Sequence, residues 1–240
     1  MASQSGIHVS PDGSVDPRVA GLLAFHQRRK EDSRARLLAA AKKQFCERGY
    51  LSVSVEDIAT AAGLTRMTFY RHFSSRADLV AEMFKREVEV GMPRFTSIGT
   101  MDFRDRDSVV RWITGLFDVD RANRRLLRVF TQATADEADF TARAQELIGD
   151  LIRRLGAAIP AFDVDPDQVA GRRRWLEAWL LVYEILDQSN HAALGSGVAT
   201  DPMVIDILAD RFLRFVADVS HLNGGWNVGL GTCQQLHEPT

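Results

Sequence analysis

Residues 64–79 read LTRMTFYRHFSSRADL. Three arginines (Arg66, Arg71, Arg76), His72, Tyr70 and two phenylalanines fall within this stretch, and its one carboxylate is Asp78. Guanidinium groups at that density pair with carboxylates or phosphates, and in a DNA major groove arginine can fork bidentately onto guanine. Tyrosine hydroxyls, imidazoles and helix N-termini suit phosphate oxygens. On a helix over 65–73, Phe69 and Phe73 stand four apart on one face. The roughly opposite face carries Met67 and Arg71, flanked by Thr68 and Tyr70, while Arg66 sits in the first turn and can splay outward. The phenylalanines hold the helix to its own domain. The other side chains are displayed, and the short Thr65 and Thr68 let a helix approach a polyanion closely.

The preceding residues are suited to position that helix. Ser54 opens VEDIATAA with Asp57 three residues on, an approximate capping box. Ile58 and Ala62 face one way, and Gly63 permits the left-handed turn that ends this second helix. Thr65 caps the display helix RMTFYRHF. Ser75, with Asp78 at its third position, caps a fourth helix running toward Gly91-Met92-Pro93. Upstream, EDSRARLLAAAKKQFCERGY carries an apolar stripe of Leu37, Leu38, Ala41 and Phe45, a polar face of Arg34, Lys42 and Lys43, and a stop at Gly49. Helix, tight glycine turn, helix is the layout of a helix-turn-helix, whose second helix enters the major groove.

Charge supports the same direction. Residues 28–76 hold eleven Lys/Arg and five Asp/Glu, a net of +6, and the rest of the chain holds nineteen and twenty-seven, a net of −8. A basic module for a polyanion is thus joined to an acidic module that is not for one. The longest strongly apolar run, AWLLVY at 178–183, is too short to span a bilayer. The opening MASQSGIHVSPDG lacks the basic start and apolar core of a signal peptide. Cys46 and Cys233 show no metal or redox spacing. By elimination the expected location is cytoplasmic, with no membrane partner and no cofactor.

The fold expected is all-α. A partly disordered N-terminal arm spans 1–27, with one or two turns of helix, followed by the helix-turn-helix domain over 28–76. A helical ligand-binding and dimerisation domain spans 77–221, and a flexible tail spans 222–240. Helices of the large domain are placed at about 106–119, 122–134, 138–157, 166–192 and 202–221, broken at Pro160, at Gly195-Ser196-Gly197 and at Asp201-Pro202. The last two carry so much apolar surface that they suit a four-helix bundle between two protomers. Leu181, Ile185, Ile205, Leu208, Phe212, Phe215, Val216 and Val219 are its candidates, and an ordinary monomeric core is the alternative. A pocket between the central helices could be lined by Trp112, Phe117, Phe130, Trp175, Trp179 and Tyr183, with His191 or Arg128 as polar anchors. So aromatic a lining suits an apolar or amphipathic ligand.

From Arg34 to Leu79 the chain resembles the N-terminal domain of TetR-type transcriptional regulators. The matching pieces are AAAKKQFCERGY, SVEDIATAAGLTRMTFYRHF and SSRADL, in ungapped spacing. The resemblance implies a ligand-responsive regulator, a repressor, that binds a palindromic double-stranded DNA operator as a homodimer and is released by a small molecule. Carried onto this sequence, Arg66, Met67 and Thr68 face bases. Tyr70, Arg71 and His72 hold phosphates or reach a base edge, and Arg76 clamps a phosphate where the family usually has lysine. Ser54 and Thr65, which cap the two helices, belong to the same surface. Met67 stands where glycine is common, so a thymine methyl becomes a possible contact. Arg28, Arg29 and Lys30 form either an arm for the adjacent minor groove or a solvated charge run.

Other functions leave weaker traces. No glycine-rich phosphate loop, GxSxG, HExxH or Cys/His metal spacing is present, so an enzyme is not expected. An architectural DNA-binding protein without an effector, or a helical small-molecule binder whose N-terminal domain meets a protein, remain the alternatives.

Overall fold

The computed structural model describes residues 17–134, 138–195 and 197–218, and every regular element among them is helical. The order is α1 (Pro17–Arg48), α2 (Val55–Ala61), α3 (Arg66–Tyr70), α4 (Arg76–Thr96), α5 (Arg106–Ala122), α6 (Arg124–Thr134), α7 (Ala138–Gly156), α8 (Val169–Leu194) and α9 (Met203–Ala217). Single 3₁₀ turns occur at 50–52, 97–100, 160–162 and 197–200. The expected tail, 222–240, lies outside the described residues. No helix among the described residues is long and apolar enough to cross a membrane.

Local chemistry starts these helices as expected. Ser54, Thr65 and Ser75 each accept a backbone N–H from the third helical residue, and Asp105, not among the expected caps, does the same for α5. Several boundaries differ from expectation, three of them in the first four helices. First, α1 is unbroken from Pro17, so residues 17–27 are helix rather than arm; proline suits the first helical position, and VAGLLAFHQRR contains no further proline to interrupt it. Second, α3 ends at Tyr70 instead of Phe73. Third, α4 passes through Pro93 and ends at Thr96. Its last turn is retained because Met92 and Phe95 are buried and Thr96 Oγ1 donates to the Met92 carbonyl at 3.1 Å.

Two apolar cores share α4. The N-terminal core joins Leu37, Phe45, Ile58, Phe69 and Phe73 to Leu79, Val80 and Met83 of α4, and it takes in Leu126, Val129, Phe130 and Ala133 of α6. Phe84 meets Phe130 edge to face, with centroids 5.2 Å apart, and Gln132 accepts the Tyr50 N–H at 3.2 Å. This core therefore reaches past residue 76 and includes a helix fifty residues downstream. The second core gathers α5, α7, α8 and α9 around Trp112, Phe162 and Phe212. Trp112 donates to the Phe95 carbonyl at 3.1 Å and lies 5.4 Å from the Phe212 ring. At the surface, Arg106 ties α5 to Asp206 and Asp210 of α9 at 2.8 and 3.0 Å.

One polar pair interrupts the α5–α8 seam: Ser189 donates to Asp120 Oδ2 at 2.5 Å. Burial pushes the Asp120 carboxyl above the ordinary carboxylate range, against the lowering effect of Ser189. A carboxyl whose pKa is raised by folding stabilises the fold fully below its unfolded value, and that contribution fades as pH rises through the raised value. Asp120→Asn keeps an acceptor for Ser189 and removes the buried charge. We expect it to melt with the wild type at acidic pH and above it at neutral pH. Denaturation midpoints across that window check this, and a variant less stable at neutral pH would contradict it.

Candidate nucleic-acid interface

The display surface is assembled by two caps and one turn. At the start of α2, Ser54 and Asp57 form a reciprocal capping box: the Ser54 N–H donates to Asp57 Oδ2 at 2.9 Å, and Ser54 Oγ accepts the Asp57 N–H at 3.1 Å. Arg48 closes on Asp57 at 3.4 Å. These bonds hold the Asp57 carboxyl below its usual range, the Ser54 backbone N–H chief among them. Ser54 is thus occupied in fixing α2 to the end of α1.

The α2–α3 turn depends on Gly63, whose φ is +63°. The Leu64 N–H donates back to the Ala59 carbonyl and the Gly63 N–H to the Thr60 carbonyl, both at 2.9 Å, which closes the helix end. Arg36 of α1 braces the turn by donating to the Ala62 carbonyl at 2.6 Å. A Cβ on Gly63 would lie 2.9 Å from that guanidinium, which could shift aside, so it is the left-handed conformation that requires glycine here. Nothing in the sequence pointed to Arg36: its partner is 26 positions away, and an arginine on a charged helix face carries no distinguishing spacing.

Beyond the turn, Thr65 Oγ1 accepts the Thr68 N–H at 3.2 Å and lies 3.0 Å from Thr68 Oγ1, so the two threonines cap α3 together. Phe69 is fully buried and Phe73 nearly so, their centroids 5.8 Å apart. Seating them turns the other face outward. Met67 is 79% exposed and Tyr70 46%, and Arg66 and Arg71 are exposed with them. Arg66 stays close to Tyr70, its guanidinium 5.5 Å from the ring centroid. Two arginines, a methionine and a phenol thus project from one short, capped helix.

Two residues expected on this surface turn inward. His72 Nε2 lies 2.7 Å from Ser33 Oγ on α1, and its other ring nitrogen is buried without a hydrogen-bond partner. Burial is the chief reason its pKa falls below the ordinary imidazole range, and Arg71, Arg34 and Lys30 add to it. Arg76 donates to the carbonyls of Tyr50 and Val53 at 3.1 and 2.5 Å and covers the Tyr50 ring at 4.7 Å. It locks the start of α4 to the loop before α2.

The residues expected to line a ligand pocket do not converge. Trp112 and Phe117 are buried in the C-terminal core, and Phe130 is in the N-terminal one. Trp175 lies under Arg172 at 5.3 Å. Trp179 stacks on Tyr183 with centroids 5.2 Å apart, and Tyr183 is nearly half exposed. His191, near the end of α8, bonds the Asp187 carbonyl at 2.9 Å, and Arg128 is exposed. A cavity of about 450 Å³ lies between α4 and α7, lined by Phe84, Val88 and Leu147 with Glu82, Lys85 and Glu146. Of the residues expected at a protomer interface, Leu181, Ile185, Leu208, Phe212, Phe215 and Val216 are buried within their own chain, and Ile205 packs partly against the same core. Val219 lies outside the described residues. The apolar surface that α8 and α9 leave open includes Leu176, Leu180 and Tyr183 with Met203 and Ile207, besides Val169 at the start of α8.

The N-terminal domain is similar to a known family. Residues 37–83 match the family described as bacterial regulatory proteins, tetR family. The transcriptional activator FasR of Mycolicibacterium smegmatis is 27% identical over 61% of this chain and 74% of its own. The transcriptional repressor KstR2 of the same organism is 26% identical over 80% of this chain and 78% of its own. Among solved structures, the transcriptional regulator SCO7518 of Streptomyces coelicolor shares the fold with a TM-score of 0.55 at 22% identity, covering 77% of this chain and 98% of that one.

Proposed function

We propose that this chain, a transcriptional regulator of the TetR family, binds a two-fold symmetric DNA operator as a homodimer and represses until a small molecule releases it. Like its relatives it is a regulator and not an enzyme. The observation that carries the operator reading is the outward set Arg66, Met67, Tyr70 and Arg71 on a helix seated by Phe69 and Phe73. A groove-sized helix with exposed arginine is suited to guanine edges, and an exposed methionine to a thymine methyl. Relatives named as an activator and as a repressor make the sign a separate question, and repression is the reading adopted. The site of action is the cytoplasm, with the DNA.

Dimerisation is assigned to the open face of α8 and α9. Leu176, Leu180 and Tyr183 follow one another at helical spacing, with Met203 and Ile207 on the neighbouring helix. Two copies pairing across this face form a four-helix bundle. The α4–α7 cavity, with an apolar floor and charged walls, suits an amphipathic effector. Because α4 starts at Arg76, which grips Tyr50 and Val53, an occupant that displaces α4 also displaces the recognition domain. The distance between two recognition helices, about one turn of DNA, changes as a result.

The test is selection of bound duplexes from a randomised pool by the purified protein. We expect a two-fold symmetric sequence held at least 4 kcal/mol, about a thousandfold, more tightly than scrambled DNA. Leu180→Asp should sediment as a monomer and lose this discrimination. Equal, salt-sensitive binding to every duplex would point to an architectural protein instead.

A further inference from the structure

The N-terminal half of α1 stands clear of the domain. Residues 19–32 are all exposed, and the first buried position is Ser33. Arg34 pairs with Glu82 at 3.4 Å and Lys42 with Glu87 at 2.5 Å, so α1 and α4 run in the same sense. Followed backwards from Ser33, α1 therefore runs past the N-terminus of α4, the same edge from which α3 displays its side chains. Ser33 itself touches His72, just beyond the end of α3.

Within the projecting segment, Arg28, Arg29 and Lys30 are consecutive. Each residue of an α-helix turns by about 100°, so Arg29 and Lys30 lie about 40° and 60° from the direction of Ser33, while Arg28 lies about 140° away. Lys30 is close enough to the end of α3 for its charge to act on His72, together with Arg71 and Arg34. The neighbouring acids are engaged elsewhere: Glu31 accepts from Gln27 at 2.8 Å and Asp32 meets Arg36 at 3.9 Å. Arg29 rests against Phe25 at 5.8 Å with its side chain at the surface. Arg29, Lys30, Arg34 and Arg71 thus line one basic border beside the recognition helix.

We infer that Arg29 and Lys30, carried on the helical extension of α1, bind DNA phosphates flanking the groove that α3 enters. This rests on the operator-binding reading and adds a contact outside the helix-turn-helix. The helical conformation sets its chemistry. A helix with side chains is about 10–12 Å across and the minor groove about 6 Å wide, so the helix itself stays outside the groove and these residues are assigned to the backbone. Phosphate contacts raise affinity and its salt dependence and carry no sequence information. The extension therefore strengthens binding to every sequence that α3 accepts.

The experiment measures affinity against salt for the wild type, for the double variant Arg29→Gln/Lys30→Gln and for Arg28→Gln. All bind the same duplex, one enriched by the wild type from a randomised pool. The double variant is expected to lower the slope of log affinity on log salt by about four, two phosphate contacts from each protomer of the proposed dimer. It should leave the ratio to scrambled DNA and the melting midpoint unchanged, because these side chains are exposed. Arg28→Gln, on the far side of the helix, should move the slope by much less. An unchanged slope in the double variant overturns the inference. So does an altered A·T against G·C preference at the flanks, which would mean base reading. A loss from Arg28→Gln as large as that of the double variant overturns it too, since a diffuse field would then suffice. If the wild type enriches no duplex at all, the operator reading falls and this inference with it.

Discussion

Phe69→Ala is expected to abolish operator binding and to destabilise the N-terminal core by about 3–5 kcal/mol. Phe69 is fully buried, its ring 5.8 Å from Phe73 and 5.5 Å from Tyr70, and it is what seats α3. Removing it opens a cavity under a helix of five residues that has little stability of its own. The loss should appear unevenly. All four tryptophans lie beyond residue 111, and Trp112, Trp175 and Trp179 belong to the second core or pack against it. Far-ultraviolet circular dichroism of the variant should therefore show an early transition that tryptophan emission misses. Coincident transitions at the wild-type midpoint, or retained binding, would show that α3 is held some other way.

The second large effect concerns Arg174, which is 5% exposed in the first third of α8. Its guanidinium donates to the carbonyls of Phe215 and of Asp218, the latter at 2.9 Å, at the end of α9. It also lies 3.6 Å from the Phe215 ring centroid and 3.5 Å from both Glu177 and Asp218. A buried cation is costly unless satisfied, and here two carbonyls, two carboxylates and a ring do most of that, leaving only Nε without a partner. Charged hydrogen bonds and a desolvated cation–ring contact together are worth about 3 kcal/mol. Arg174→Ala should lower stability by about that amount and free the end of α9. Thermal denaturation followed by tryptophan emission measures it. On the proposed pairing of two copies across the open apolar face, to which α9 contributes, the variant should also dissociate at higher protein concentration than the wild type. An unchanged midpoint would mean that the carbonyls are satisfied equally well without the arginine.

The opening stretch, LTRMTFYRHFSSRADL, and the residues just before it declared most of their own local structure. Ser54, Thr65 and Ser75 cap the helices they were expected to cap, Gly63 adopts the left-handed turn, and Phe69 and Phe73 are the buried pair. These features depend on residues one to four positions apart, the range over which backbone hydrogen bonds and helix periodicity act, so they are already present in a list of residues. The outward face of Met67, Tyr70 and Arg71 follows from the buried one by rotation alone, whereas Arg66 lies by angle beside the phenylalanines and is exposed because it stands in the first turn.

Contacts across the chain decided the remainder. His72 and Arg76 have the same residue types as the displayed groups, yet one is drawn to Ser33, 39 positions back, and the other to Tyr50 and Val53, more than twenty positions back. The place of α6 in the N-terminal core depends on Phe84 meeting Phe130, and Tyr50 meeting Gln132 across 82 positions. The apolar face of α8 divides in the same way. Leu181 and Ile185 are buried beneath α5 and α9 while Leu176 and Leu180 stay open, and a helix apolar nearly all round gives no sign of which side a neighbour will cover. Periodicity reports that a face is buried. Only packing determines against what, and so which arginine is left at the surface.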